Sequence, residues 1–424
     1  MGRVVDLEEG RRSRTASKPA PRRMKRSKTA LVLGGGGFTG GVYEIGALRA
    51  LDLLAVNRTV NEFDIYVGTS AGSFVASMAA NGITPEEMMR VVDQQVPTPF
   101  RDVDLRTLLR PNVAEFARAG VTLPFKLARV TRDLVGQLGS ISAMDVLLGL
   151  AEALPSGLYS GSGIEEYVRV VLSDPDRTDD FRNLERELYL VATDLDTCER
   201  IVLGADGWDD VPISRAVRAS TALPMVYKPV VVKERELVDG GIVSTTNVDI
   251  AVEAGAKFVV VVNPLVPYVN DFTRTVPTLF GQRSRRVSDM GFPQIGYQAF
   301  KLLAYQRLHQ MARQWEQRYP GVDIVLIEPA PDDELMFQTS IMNFTSRVNI
   351  ARHGFESVTL KLAEDYPKLR RVAAKHGFDI SATRVRKVVK HFAAEKEPTR
   401  AWRKILEQTT GALLRQSQNE RVAE

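Results

Sequence analysis

Six of the eight residues from Gly34 to Gly41 are glycine. They stand between an apolar run, Thr29-Ala30-Leu31-Val32-Leu33, and an apolar helical pattern through Ile45, Leu48, Leu51 and Leu54. A strand, a bare tight loop and a helix in immediate succession form the repeating unit of an α/β fold. Backbone without side chains can also leave several amides converging on an anion. Two functions fit such a loop. Gly35-x-Gly37-x-x-Gly40 has the formal spacing of a dinucleotide loop, which also calls for an acidic residue at the end of the next strand, about 20 residues on. Asp52 falls inside the expected helix, and Asp64 opens the next strand rather than closing it. The other function is an oxyanion hole, whose preorganised amides meet the negative charge of a tetrahedral intermediate.

A second junction follows. Phe63-Asp64-Ile65-Tyr66-Val67 reads as a buried strand, and Ser73 to Ala80 has the composition of a helix. Between them lies Gly68-Thr69-Ser70-Ala71-Gly72, the Gly-x-Ser-x-Gly pattern of a nucleophile elbow. Gly68, Ala71 and Gly72 supply the small neighbours that a sharp turn needs, and the helix N-terminus favours charge developing at the hydroxyl. Taken alone, the same residues also describe an ordinary turn with an N-cap serine. The first histidine is His309, followed by His353, His376 and His391. A Ser-His-Asp triad would have to borrow from the C-terminal third. The alternative is a serine activated by a carboxylate alone. Glu236-Leu237-Val238-Asp239-Gly240-Gly241 ends a short apolar approach in such a carboxylate, although Asp-Gly-Gly is also a common turn. Asp239 serves as a base if it lies within hydrogen-bond reach of Ser70, and partial desolvation would raise its pKa toward neutrality.

The order glycine-rich loop, Gly-x-Ser-x-Gly, Asp-Gly-Gly resembles the patatin-like phospholipase family, whose members use a Ser-Asp dyad. Leu190 to Thr197 resembles the family's central strand and turn, Ala216 to Pro224 the helix and turn before the aspartate strand, and Val259 to Asn263 the strand after it. The resemblance spans residues 29–265. It continues more weakly to about 363, through Asp323 to Ile327 and Asn349 to Gly354. It implies a three-layer α/β fold, a central mostly parallel sheet flanked by helices, with a C-terminal helical extension. It implies Ser70 as nucleophile, Asp239 as base and the amides of Gly36 and Gly37 as oxyanion donors. Gly35, Gly40, Gly68, Gly72, Gly240 and Gly241 complete the motifs. The implied activity is hydrolysis of lipid carboxyl esters, of the phospholipase A type, through an acyl-enzyme and without cofactor or metal. One departure stands out. Where the family often carries Arg or Lys before the last loop glycine, this chain has Thr39, and Gly41 lengthens the loop. That substitution favours an alternative, a catalytically weak lipid-binding or regulatory protein on the same fold.

The 424 residues exceed the size at which one core usually stops growing. The expected organisation is a disordered basic tail over 1–28, a hydrolase domain over 29–363 with a helical insertion or lid candidate at 97–165, and a basic helical extension over 364–424. Residues 1–28 hold ten Lys/Arg against three Asp/Glu, and residues 384–424 hold ten against five. The whole chain is +4, so the basic character belongs to the ends and residues 29–383 are net acidic. Basic ends suit contact with an anionic membrane surface; no zinc, helix-turn-helix or RNA motif points to nucleic acid. No apolar run is long enough to span a bilayer and no secretory h-region is visible, so the expected location is the cytoplasm, with peripheral membrane contact. The single cysteine, Cys198, excludes an internal disulfide and is expected to be buried or half-buried. Residues 266–293 read as loop, and 295–318 and 345–377 as long helices.

Overall fold

The computed structural model describes residues 27–93, 109–122, 154–269, 275–278, 281–284, 286–330, 333, 335–336, 344–384 and 386–387. The N-terminal tail to residue 26, most of the 97–165 insertion and the C-terminal segment from 388, with Trp402, lie outside the described residues.

The strands are β1 (Thr29–Leu33), β2 (Ile65–Thr69), β3 (Gly157–Tyr159), β4 (Glu187–Asp194), β5 (Arg200–Leu203), β6 (Met225–Tyr227), β7 (Val230–Val232), β8 (Arg235–Asp239), β9 (Phe258–Val262), β10 (Thr275–Thr278), β11 (Gly281–Ser284) and β12 (Asp323–Ile327). Eight of them form one sheet in the order β12-β9-β1-β2-β4-β8-β7, with β5 also on β4. The strands from β12 to β4 run parallel; β5, β7 and β8 join antiparallel.

Side chains alternate across the sheet as a pleat requires. Leu31, Leu33, Tyr66, Val260 and Val262 enter one core. Ala30, Val32, Ile65, Val67, Val259 and Val261 enter the other. The first core is roofed by α1 (Gly37–Leu54), α2 (Ala71–Ala80), α3 (Pro85–Asp93) and the helix Arg347–Glu364. The second is covered by the helix Val248–Glu253 and by Trp315 and Tyr319. The result is the three-layer α/β arrangement, with the central strands buried on both faces.

On the first face, α1 and the helix Arg347–Glu364 cross with almost no space between their backbones. A Cβ on Gly46 would meet the Ala351 carbonyl oxygen at 2.2 Å, and one on Gly354 would meet the Tyr43 oxygen at 2.5 Å. Past residue 363 the chain stays on the same core. The helix Tyr366–Lys375 follows at once, Phe378 packs against Phe63 and Phe258, and Ile380 bridges to Ala55. Among the described residues no helix is long and apolar enough to cross a membrane.

Several local expectations are corrected. Cys198 is exposed, with a positive φ of 59°, because it sits in the turn between β4 and β5 rather than on a strand. The stretch read as loop over 266–293 contains the β10–β11 hairpin, whose polar, proline-bearing strands carry no alternating pattern. Gly157–Tyr159, inside the segment expected to be a helical insertion, is a short strand parallel to β6. The two long helices are broken, into Phe292–Ala312 and Trp315–Arg318, and into Arg347–Glu364 and Tyr366–Lys375. In the second case Pro367 lies in the first turn of the new helix, where its missing N–H costs nothing.

Candidate active site

Parallel strands expose their C-terminal ends along one edge of the sheet, and the loops leaving that edge build the site. Three of the segments follow the parallel strands β1, β2 and β9; the fourth follows β8, which runs antiparallel to β4 and stops at the same level. The register decides which residues meet. Thr69 pairs with Val191 on β4, and Ala192, one residue further, pairs with Asp239. Ser70 and Asp239 therefore stand at the same level on the two sides of β4.

Ser70 connects β2 to α2 with φ 56° and ψ −127°, a backbone conformation that a non-glycine residue adopts only under strain. Its neighbours must be small for the turn to close. A Cβ on Gly68 would lie 2.5 Å from the Ser73 Cα, and one on Gly72 would lie 2.5 Å from the oxygens of Leu33 and Gly34. The strained peptide is held by its surroundings. The Ser70 amide donates to Ser220 Oγ (2.9 Å), which itself donates to the Val191 carbonyl (2.6 Å). Ser73 Oγ donates to the Ser70 carbonyl at 2.5 Å.

Ser70 Oγ donates to Asp239 Oδ2 at 2.5 Å. Asp239 Oδ1 accepts the Gly241 amide at 2.8 Å. Gly240 packs so closely that a Cβ there would meet the Val191 carbonyl at 2.3 Å. Burial pushes the Asp239 carboxyl up to about 6, and the bonds from Ser70 and the Gly241 amide offset only part of that cost. A carboxylate poised near neutrality, already touching the hydroxyl it would deprotonate, meets the two conditions for a general base.

The glycine loop lies over Ser70. A Cβ on Gly35 would sit 3.2 Å from Ser70 Cβ. Helix α1 begins at Gly37, so Phe38, Thr39, Gly40 and Gly41 form its first turn rather than a longer loop. Thr39 is buried, and Gly40 sits against Pro264. Gly36 and Gly37 line the same cavity as Ser70 and Asp239. Among the described residues no backbone carbonyl accepts their amides. They stand at a helix N-terminus, where the dipole adds to the attraction for an anion.

The cavity encloses about 160 Å³. From Ser70 it runs along the Phe74, Val75 and Met78 face of α2 to Met88 and Val92 of α3. Of the expected insertion over 97–165, only Ile164 among the described residues touches it. On the other side it is walled by Tyr297 and Phe300 of the helix Phe292–Ala312, a wall that no sequence pattern had pointed to.

The described histidines belong elsewhere. Each lies on a carboxylate: His309 on Glu328 (2.9 Å), His353 on Asp333, and His376 on Asp323 (2.9 Å). None lines the cavity; His391 lies outside the described residues. The acidic residues weighed for a dinucleotide are also occupied. Asp64 Oδ2 accepts both the amide and the hydroxyl of Thr29 (2.9 Å each), and Asp52 accepts the Val60 amide (2.7 Å). A further acid, Glu44 of α1, is wholly buried and burial holds its carboxyl far above the usual range. Neither of its oxygens has a hydrogen-bond partner among the described residues, and the nearby Gly34 amide is spent on the Val262 carbonyl (2.9 Å).

A strained serine on an aspartate, beneath a glycine loop in a three-layer α/β fold, defines a class that the wider comparisons bear on directly. Residues 31–252 match the family described as Patatin-like phospholipase. That is more than half of the chain, which belongs to this family. An uncharacterized protein of Bacillus subtilis (strain 168), YqhO, is 26% identical over 222 residues, a match covering 49% of this chain and 64% of that one. The chain thus spans somewhat less than two thirds of that relative. Among solved structures, VipD from Legionella pneumophila aligns over 80% of this chain and 67% of its own, at 14% identity and a TM-score of 0.34. The type III effector ExoU aligns over 80% of this chain and 53% of its own, at 15% identity and a TM-score of 0.35.

Proposed function

We propose that the protein is a lipid acyl hydrolase that cleaves carboxyl esters through a Ser70 acyl-enzyme. The observation that carries this reading is the hydrogen bond from Ser70 Oγ to Asp239 Oδ2 on the lining of an apolar cavity. As Ser70 attacks the ester carbonyl, Asp239 takes the hydroxyl proton. The amides of Gly36 and Gly37 receive the oxyanion. Collapse of the tetrahedral intermediate breaks the bond to the alcohol, which leaves with the proton from Asp239. The acyl chain stays in the cavity, where apolar walls reward its burial. Water, deprotonated in turn by Asp239, attacks the acyl-enzyme and frees the fatty acid.

Ser70→Ala tests this. The wild type should hydrolyse an acyl ester and be labelled by a fluorophosphonate, and the variant should do neither while melting as the wild type does. The cost to folding should stay within about 1.5 kcal/mol, that of the one hydrogen bond lost to Asp239. Labelling that survives in Ser70→Ala removes Ser70 as nucleophile. A wild type that binds lipid without turnover points instead to the regulatory alternative.

A further inference from the structure

Both oxygens of Asp239 are engaged, Oδ2 by Ser70 and Oδ1 by the Gly241 amide. The oxygen of the departing alcohol carries negative charge as its bond to the carbonyl carbon breaks, and a second donor there would lower that barrier. Few polar side chains line the cavity. The Thr221 hydroxyl is spent on the Val217 carbonyl (2.8 Å), and Arg347 on the carbonyls of Val92 (2.8 Å) and Phe344 (3.0 Å). Thr245 presents its methyl to the dyad, 3.7 Å from the Cβ position of Gly241. Tyr227 and Tyr297 both line the cavity with hydroxyls that have no hydrogen-bond partner among the described residues; Tyr227 packs against Tyr159 (ring centroids 6.0 Å apart), whereas Tyr297 stands on the wall that reaches the Asp239–Gly241 turn.

The helix that carries it is set firmly against the dyad. Phe300, on the same wall, reaches within 3.8 Å of the Cβ position of Gly241. Gln298 grips both backbone groups of Tyr268, accepting from its amide (3.2 Å) and donating to its carbonyl (2.9 Å). One turn beyond Tyr297, the ammonium of Lys301 lies 4.6 Å from the centre of the phenol ring. Lys301 is only 5% exposed and forms no ion pair or hydrogen bond among the described residues.

We propose that Tyr297 is a catalytic residue of the Ser70 reaction, donating a hydrogen bond from its hydroxyl to the leaving oxygen of the ester, and that Lys301 is a positioning residue acting through the ring. The proposal rests on the acyl-enzyme reading above. Tyr297 keeps its proton throughout; the proton that completes the alcohol is the one Asp239 took from Ser70. Burial first, and the charge of Asp239 second, hold the phenol above its ordinary pKa, so it remains a donor across the working range. Burial draws the Lys301 ammonium down to about 8. While charged, it withdraws electron density from the ring face and sharpens the hydroxyl as a donor.

The test compares Tyr297→Phe with the wild type on two esters of the same fatty acid. A nitrophenyl ester releases a stable phenolate and needs no donor. A glycerol monoester releases an alkoxide and does. For the glycerol ester kcat/KM, which reports acylation, should fall about tenfold to a hundredfold in Tyr297→Phe. For the nitrophenyl ester, and for fluorophosphonate labelling of Ser70, the rates should stay within about twofold, showing an intact site. Lys301→Met should shift the same ratio less, and Lys301→Arg should restore it. An equal fall on both esters makes Tyr297 a packing residue and overturns the proposal, as does no fall on either. If the wild type cleaves neither ester, the acyl-enzyme reading itself has failed, a result distinct from these.

Discussion

The same sheet edge ends in two contrasting neighbourhoods. On the β2–β4–β8 side, Asp239 has one hydroxyl and one amide for company and, among the described residues, no cation in contact. On the β9–β12 side, each carboxylate is matched. Glu328 takes His309 (2.9 Å) and Asn263 (3.4 Å), its carbonyl takes Lys361 (3.2 Å), and Asp333 takes His353. At the opposite end of β12, Asp323 is pushed up by burial, but the bonds and charges of His376 and Lys375 outweigh that, and its carboxyl settles below the ordinary value. Burial acts on both aspartates; the presence of a cation decides the direction. With no cation beside it among the described residues, Asp239 stays above the ordinary carboxylate value. Glu328, Asp333 and Asp323, each bonded to a histidine, tie helices to β12 and the segment after it.

The largest break in that comparison comes from Asp239→Asn. In the proposed mechanism serine and aspartate act as a unit, so kcat/KM should fall by about 10⁴-fold, as with Ser70→Ala. The same variant should be more stable than the wild type at pH 8. A carboxyl whose folded pKa lies above its unfolded one loses stability as pH rises from about 4 through about 6. Removing its charge should return on the order of 3 kcal/mol at pH 8 and almost nothing below pH 4, readable as urea midpoints at the two pH values. A variant no more stable at pH 8 would mean that Asp239 is not desolvated.

The pH profile sharpens the contrast further. The proposed mechanism requires ionised Asp239, so kcat/KM should climb through an acid limb near pH 6 and level off above it. A limb near pH 4 would place the base in an exposed, ordinary carboxylate. The smallest effect is expected from the other neighbourhood. Replacing His309, His353 and His376 by Gln should leave kcat/KM within about tenfold, about 1.4 kcal/mol of barrier, while lowering the melting temperature as those ties loosen. A much greater loss with the fold intact would bring a histidine into catalysis and erase the distinction.

Much of this was legible from residues alone, because the chemistry is written in short, contiguous motifs. A strained elbow needs Gly68 and Gly72 beside Ser70, and a strand delivering a carboxylate into a turn needs Asp239 before two glycines; both signals are local. Elements with weak local signals were lost. The β10–β11 strands are too short and polar to show a period of two. Cys198 was judged by its residue type, whereas a hairpin turn set its exposure.

The sequence by itself determined the α/β class, the order of the motifs and the two candidate catalytic side chains, since each depends on backbone sterics within a few residues. Only the tertiary structure decided what meets what. The register across β4 brings Ser70 and Asp239 together over 169 positions of chain. Helix packing through Gly46 and Gly354 and the placement of the helix Phe292–Ala312 build the cavity and bring Tyr297 to it. Those contacts depend on strand order and interhelical distance, quantities that no local pattern of residues carries.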